Sequence, residues 1–468
     1  MKKKIELPIK AFINRTRERS RLKQLLTEQH EGIRVLLIKG NVGVGKTRLI
    51  KEVLDEIKQR EVIWGDCSYL ADYVAYYPIR ELIKAQIEKQ GKNILKHLKP
   101  IYRTAIRKLV PEAAGEFTEE DRGLDIMIDK FKFYEGVKEL IGRGKQAKII
   151  VVDNLQWIDQ GSAHIIRYLI RTLKSEPITF VFIFRTDEET EVLNNLITSI
   201  RDTVEITEIS LNIFAKPEVK EIIASLLGEE PQDELVEYIV HWSGGNPFYI
   251  EEVISGLIID ENLIIKEDRW RFIEPEKGIV PKSITEIAVA KYLSLKKEAQ
   301  NVLEVASVIG WFDIAIIHEI TGYPPGEIIG LIEEISNIGL VRYSDDRIEF
   351  SDEISRNAIY EKAASRRDIA ELHTRIGDRI KERSKDKERR FVDILAFHYY
   401  RARNQDKGVR FCIQAGDNAA ANYASHTAVK YYMWAVELLK GSVKKNKQEL
   451  RDSLLKKIEE LKRKSDSF

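Results

Sequence analysis

Cysteine is nearly missing: the 468-residue chain has two, Cys67 and Cys412, far apart and in unlike contexts. A disulfide framework is therefore excluded, and the pattern fits a reducing compartment. Net charge is missing as well, because 76 Lys and Arg oppose 75 Asp and Glu for a balance of +1. Without a global positive field, any nucleic-acid contact must be local. Long hydrophobic runs are absent; ITFVFIF at 178–184 is strand-length and far short of the roughly 20 residues a membrane span requires. The start, MKKKIELPIKAFINR, has basic residues but no apolar stretch of signal-peptide length, and Glu6 and Pro8 interrupt what little there is. The expectation is a cytoplasmic protein with no membrane partner. Few Met and Cys beside abundant Lys, Glu and Ile lean towards a thermophilic source.

What is present is ample for folding: 43% hydrophobic and 32% charged residues. At roughly 150 residues per domain, about three domains fit.

Residues 33–39, IRVLLIK, form a short apolar β-type run. GNVGVGKT follows at 40–47, then the helical pattern RLIKEVLDEIKQR at 48–60. Gly40, Gly45, Lys46 and Thr47 keep the spacing G-x-x-x-x-G-K-T of a phosphate-binding loop, in strand–loop–helix context. Glycines let the backbone of Gly40, Asn41, Val42, Gly43, Val44 and Gly45 turn its N–H groups around phosphate oxygens, the helix that follows at 48–60 adds a field that favours the anion, and Lys46, Thr47 and Arg48 complete the expected contacts. Lys46 is expected to reach the β- and γ-phosphates and Thr47 to ligate Mg²⁺. The implied ligands are ATP or ADP with Mg²⁺.

Such a loop requires a second acidic motif, and KIIVVDNLQWID at 148–159 supplies it. Asp153 closes the apolar strand and is the expected Mg²⁺-side carboxylate, the Walker B residue. The next position is Asn154, and an amide cannot serve as a general base. Hydrolysis is therefore expected to be slow, or to recruit another carboxylate such as Asp159. The other reading of Asp159 is a helix N-cap, since GSAHIIRYLIRTLK follows. A further strand at 178–184 ends in Arg185, where carboxyl ends of parallel strands face the ligand, so Arg185 is placed to sense the γ-phosphate. An ion pair with Glu188 or Glu189 is the alternative. Strands at 61–64 and 203–210 complete a five-stranded sheet.

The series FINRTRE, GNVGVGKT, VVDNLQWID, FIFRTDE and SGGNPFYIEEV resembles the AAA-related ATPase module of the STAND class, signal-transduction NTPases with numerous domains, of the maltose-regulon-activator and origin-recognition-like group. The most specific signs are the spacing from Asp153 to Trp157 to Asp159 and GGNP at 244–247. The resemblance runs from about 10 to 440. It implies adenine contacts from Phe12, Ile13 and Arg15, and Pro247 of a helical lid packing near the base. Three residues depart from the family pattern: Asn14 stands for a usual Gly, Asn154 for the second acidic residue, and Asp352 for a His that helps to hold ADP.

The remaining chain is read as a helical lid at 213–280, with helical apolar spacing through 275, and then as helices with two strand-like runs in LVRYSDDRIEF, a winged helix at 281–362. The recognition segment PGEIIGLIEEISNIG has three Glu and no Lys or Arg, which disfavours phosphate contact. In 363–468, Gly416, Ala428, Tyr432 and Ala435 keep tetratricopeptide-type spacing, and a basic amphipathic helix carrying Leu450, Leu454, Ile458 and Leu461 on one side follows, read first as a cap on the repeats, with self-pairing or an acidic partner as the alternatives. His373 and His398 lack metal-ligand spacing and are read as structural.

The expected fold is multidomain α/β plus α, with the P-loop NTPase parallel sheet in 1–212. The expected function is an ATP/ADP-binding switch with slow hydrolysis, whose C-terminal helices receive a protein or small-molecule effector and which forms a nucleotide-dependent homo-oligomer; Arg171 is a candidate arginine finger. The alternative, an origin-recognition-type DNA-binding ATPase, is disfavoured by charge, Asn154 and the repeats after the wing. Fast housekeeping turnover is disfavoured by Asn154.

Overall fold

The computed structural model describes residues 15–57, 60–68, 74–115, 118, 121, 130–142, 147–267, 269–275, 284–344, 347–384, 391–440 and 445–466. Two compact units divide the chain. One holds the described residues up to Cys67, then Ile141–Ile158, and then Ile166 through the lid; the other holds Ser68–Leu140, Asp159–Ile165 and everything from the helix Ile284–Ser294 onward.

The first unit is built on five parallel strands, β1 (Arg34–Gly40), β2 (Glu61–Asp66), β3 (Lys148–Asp153), β4 (Ile178–Arg185) and β5 (Ile206–Ser210), in the order β2-β3-β4-β1-β5. β3 and β4 are buried at every position, as continuous apolar runs must be when helices cover both faces of a parallel sheet. Leu36, Ile38, Val151, Val181 and Ile183 pack with Leu49, Ile50 and Val53 of the helix Lys46–Glu56 and with Leu22 and Leu26 of Thr16–Thr27. Register decides what the carboxyl edge presents: Gly40 lies opposite Arg185, and Asp66 opposite Asp153.

The lid, in the same unit, comprises the helices Lys216–Leu227, Asp233–Ser243 and Pro247–Ile259, joined through Val219, Ile223, Leu235, Ile239, Ile250 and Ile254. Its last part departs from the all-helical expectation. Leu263–Lys266 (β6) and Arg269–Phe272 (β7) form an antiparallel hairpin. Four-residue strands give too short an apolar pattern to separate from a helix turn. Tertiary contacts fix the hairpin: the Trp270 indole N–H donates to the Leu227 carbonyl at 3.0 Å, and Phe272 packs 5.2 Å from the Tyr238 ring.

The second unit continues with Lys297–Ile309, Ile314–Thr321 and Pro325–Asn337, then the hairpin of β8 (Val341–Ser344) and β9 (Arg347–Phe350), then Glu353–Ala364. Asp345 and Asp346 of the expected turn lie outside the described residues. The segment between β2 and β3 belongs to this unit too: Ser68 donates to Glu353 at 2.9 Å, and the buried Tyr76 hydroxyl donates to the Asn422 carbonyl at 2.9 Å.

Helices Ile369–Ser384, Val392–Arg401, Gln405–Ala421, Ser425–Leu438 and Lys445–Asp466 finish the chain. Gly416 faces the Tyr432 ring so closely that a Cβ there would lie 2.5 Å from it. Ring and missing side chain together set the spacing of the helix pair. Gly416→Ala is expected to cost about 1–3 kcal/mol through overpacking, despite its better helix propensity, measurable as a lower denaturation midpoint. On the last helix Leu454 and Ile458 are buried while Leu450 remains 37% exposed, and Lys457 donates to Asp417 at 2.9 Å. Cys67 and Cys412 are both buried thiols. Among the described residues no helix is long and apolar enough to cross a membrane.

Candidate nucleotide-binding site

The site lies within the first unit, at the carboxyl edge of its sheet. β1 delivers Gly40, and the loop after it carries Lys46 onto the first turn of its helix. Lys46 is only 8% exposed, and its ammonium donates to the carbonyls of Gly40 at 2.7 Å and Asn41 at 2.8 Å. Burial, reinforced by the nearby Arg185 charge, pushes Lys46 down to about 8, with Asp153 acting in the opposite direction. A buried cation held against its own loop is prepared for an anion, since phosphate oxygens raise its proton affinity and are stronger acceptors than carbonyls.

Thr47 donates its hydroxyl to Asp153 Oδ2 at 2.7 Å, while the Asn154 backbone N–H donates to Oδ1 at 2.8 Å. Burial pushes the Asp153 carboxyl up, and these two hydrogen bonds hold it back. A hydroxyl and a carboxylate in contact are a hard-oxygen donor pair, and this pair fits Mg²⁺. When bound, the ion would supply positive charge to the terminal phosphates.

Arg185, at the end of β4, donates to Glu188 at 2.8 Å and stacks over the Trp157 ring at 4.8 Å. The ion pair is the one the sequence offered as the alternative reading of this residue; Arg185 is also buried, and its charge acts on Lys46. Thr186 next to it donates to the Asn41 side chain at 2.7 Å. Gln156, 1% exposed, accepts from the Arg185 backbone N–H at 3.2 Å and donates towards Asn154 Oδ1 at 3.4 Å. This link was invisible in sequence, because a glutamine three residues past Asp153 carries no signal of its own.

The N-terminal edge is fastened by Arg15. Its backbone is left-handed at φ 63°, its guanidinium donates to the carbonyls of Val44 and Asn212, and it stacks over Phe214 at 4.2 Å. Phe12, Ile13 and Asn14 lie outside the described residues.

The lid reaches the phosphate loop through a residue that sequence reading passed over in favour of Pro247. Pro247 opens its helix, with φ suited to the first turn, and Asn246 caps it by accepting from the Phe248 N–H at 3.1 Å. The same Asn246 side chain donates to the Val42 carbonyl at 2.9 Å. Gly245 before it is obligatory: φ is +77°, and a Cβ would sit 2.1 Å from the Phe214 carbonyl oxygen. Arg48 is paired with Glu251 of the lid helix at 2.8 Å. Asn246→Ala is expected to destabilise the lid by about 1–2 kcal/mol, from a lost cap and an unpaired Val42 carbonyl, seen as faster amide exchange in 247–259.

Asp159 caps the helix Gln160–Thr172, accepting from the Ser162 N–H at 2.9 Å and from the Ser162 hydroxyl. Asp352 likewise caps Glu353–Ala364, accepting from the Ser355 N–H at 2.8 Å.

Residues 11–183 match the sequence model of the AAA ATPase domain. The chain carries an AAA-type P-loop ATPase domain. In solved structures, the fold around this ATPase domain is similar to that of a signal transduction ATPase with numerous domains (STAND) protein with a tetratricopeptide repeat sensor, PH0952 from Pyrococcus horikoshii. Identity is 14%, the match covers 99% of this chain and 67% of that chain, and the TM-score is 0.53. Lesser likenesses include the Aeropyrum pernix ORC1 protein in complex with DNA (16% identity, 75% and 93% covered, TM-score 0.37) and Cdc6p from Pyrobaculum aerophilum (13%, 77% and 97%, 0.38). No curated protein matches the sequence.

Proposed function

We propose that this AAA-type ATPase is an ATP/ADP-operated switch of the STAND kind, with slow hydrolysis. The observation that carries the reading is Asn246, one side chain that both starts the lid helix and bonds the phosphate loop. Phosphates entering the loop would take its N–H groups while Asn246 holds the Val42 carbonyl of the same loop, so nucleotide state and lid position are coupled through one stretch of backbone. Asn154 supports slow turnover, because the position after Asp153 offers an amide rather than a carboxylate. In this reading the second unit supplies a winged helix and tetratricopeptide-like helices, which take a protein or small-molecule effector, and the ATP form assembles into homo-oligomers. The acidic helix Pro325–Asn337, with Glu327, Glu333 and Glu334, favours this reading over duplex DNA binding.

The test is nucleotide content and mass of the purified protein, by chromatography of the denatured extract and by light scattering with and without ATP and Mg²⁺. The expected result is ADP retained on a monomer that assembles with ATP. A nucleotide-free monomer that ATP neither binds nor assembles would overturn the reading, and salt-dependent duplex binding in a gel shift would favour the DNA-binding alternative.

A further inference from the structure

Hydrolysis needs a group to take the proton of the attacking water, and the residue after Asp153 cannot do so. The backbone explains why no Glu stands there. Asn154 is left-handed, φ 53° and ψ 39°, and opens the single 3₁₀ turn Leu155–Trp157. Asn and Asp tolerate that conformation; longer acidic side chains are less suited to it. Yet the Asn154 side chain holds a carboxylate: its Nδ2 donates to Asp66 Oδ1 at 2.9 Å. Asp66 ends β2, pairs in register with Asp153, and is exposed to solvent at the same carboxyl edge.

We propose that Asp66, held by Asn154, is the water-activating carboxylate of this site. The inference rests on the ATP-binding reading above. Other acidic side chains are worse placed: Asp159 caps a helix, and Glu188 is spent on Arg185. As the water oxygen bonds to the γ-phosphorus, Asp66 takes one water proton. The bridging P–O bond breaks with its electron pair remaining on the β-phosphate of ADP, inorganic phosphate is formed, and Asp66 releases the proton to solvent.

The experiment compares the full-length protein with Asp66→Asn, Asp66→Ser and the exchanged double variant Asp66→Asn/Asn154→Asp. Single-turnover ATP cleavage, ATP affinity by calorimetry, and the ATP-to-ADP ratio retained on each purified protein are measured. The single variants are expected to cleave ATP about 100-fold more slowly, to bind it within about threefold of the parent, and to be purified with ATP where the parent carries ADP. The double variant, which returns a carboxylate to the pair, is expected to recover at least tenfold of the loss. A purely structural Asp66 would not be rescued by the exchange. Unchanged cleavage in the single variants, absence of rescue, or a parent that binds ATP but never cleaves it would each overturn the proposal while leaving the nucleotide-binding reading intact. A parent that binds no ATP would overturn both.

Discussion

Replacing Lys46 by Met is expected to weaken ATP binding about 100- to 1,000-fold, measured by calorimetry, while shifting stability by less than about 1.5 kcal/mol. The two halves of this result have one cause. Lys46 is a nearly buried cation whose proton affinity burial has already lowered, to about 8, and its ammonium donates to two carbonyls of its own loop. In the protein alone, removing the ammonium relieves a desolvation cost and strands two acceptors, and these effects oppose one another. With ATP bound, the ammonium would lie against multiply charged oxygens in a site of low polarity, where a charge-assisted hydrogen bond is at its strongest. Only the bound state loses that interaction on substitution. A variant that bound ATP within tenfold of the parent would show that Lys46 does not meet the phosphates.

The fold was legible where one element satisfied one physical demand at a time. β1, β3 and β4 are buried on both faces, so their sequences are unbroken apolar runs, and the phosphate loop announces itself by glycine spacing. Asp153, Lys46 and Thr47 could be found because each sits at a fixed offset within its own segment. Residues that work across segments could not. Asp66 bonds Asn154 from 88 positions away, and Asn246 bonds Val42 from 204 positions away; neither has a periodicity or spacing to expose it. Asn246 was at least marked by GGNP, whereas Asp66 is one acid at the end of an ordinary strand. The hairpin β6–β7 was missed for a related reason, since Trp270 and Phe272 owe their conformation to Leu227 and Tyr238 rather than to local pattern.

Lowering the pH from 7 to 5 is expected to cost the second unit about 4 kcal/mol of stability, about 2 kcal/mol from each of two histidines. His373 and His398 are 1% and 0% exposed and face each other with Nδ1 atoms 3.0 Å apart, so one ring donates and the other accepts. Tyr360 and Phe397 pack edge-on against His373, and the Arg401 guanidinium lies over both of those rings. Burial, with Arg401 adding like charge, pushes His373 down to about 3, and burial beside His373 pushes His398 well below its ordinary value. Both rings are therefore neutral in the folded unit. In the unfolded chain each takes up a proton near pH 6.5. The sign follows: between about 6.5 and 3 the unfolded state binds more protons, so stability is full above that window and is lost progressively as pH falls through it. Charging the accepting ring in place would also turn its Nδ1 into a donor facing a donor, whereas charging the donating ring would put the new proton on its buried Nε2. Urea denaturation followed by the fluorescence of Trp434, stacked 4.5 Å from Tyr400 in the same unit, reads the loss directly. The double variant His373→Phe/His398→Leu is expected to flatten most of the slope between pH 7 and pH 5; if it keeps the parent's slope, the protons are taken up elsewhere.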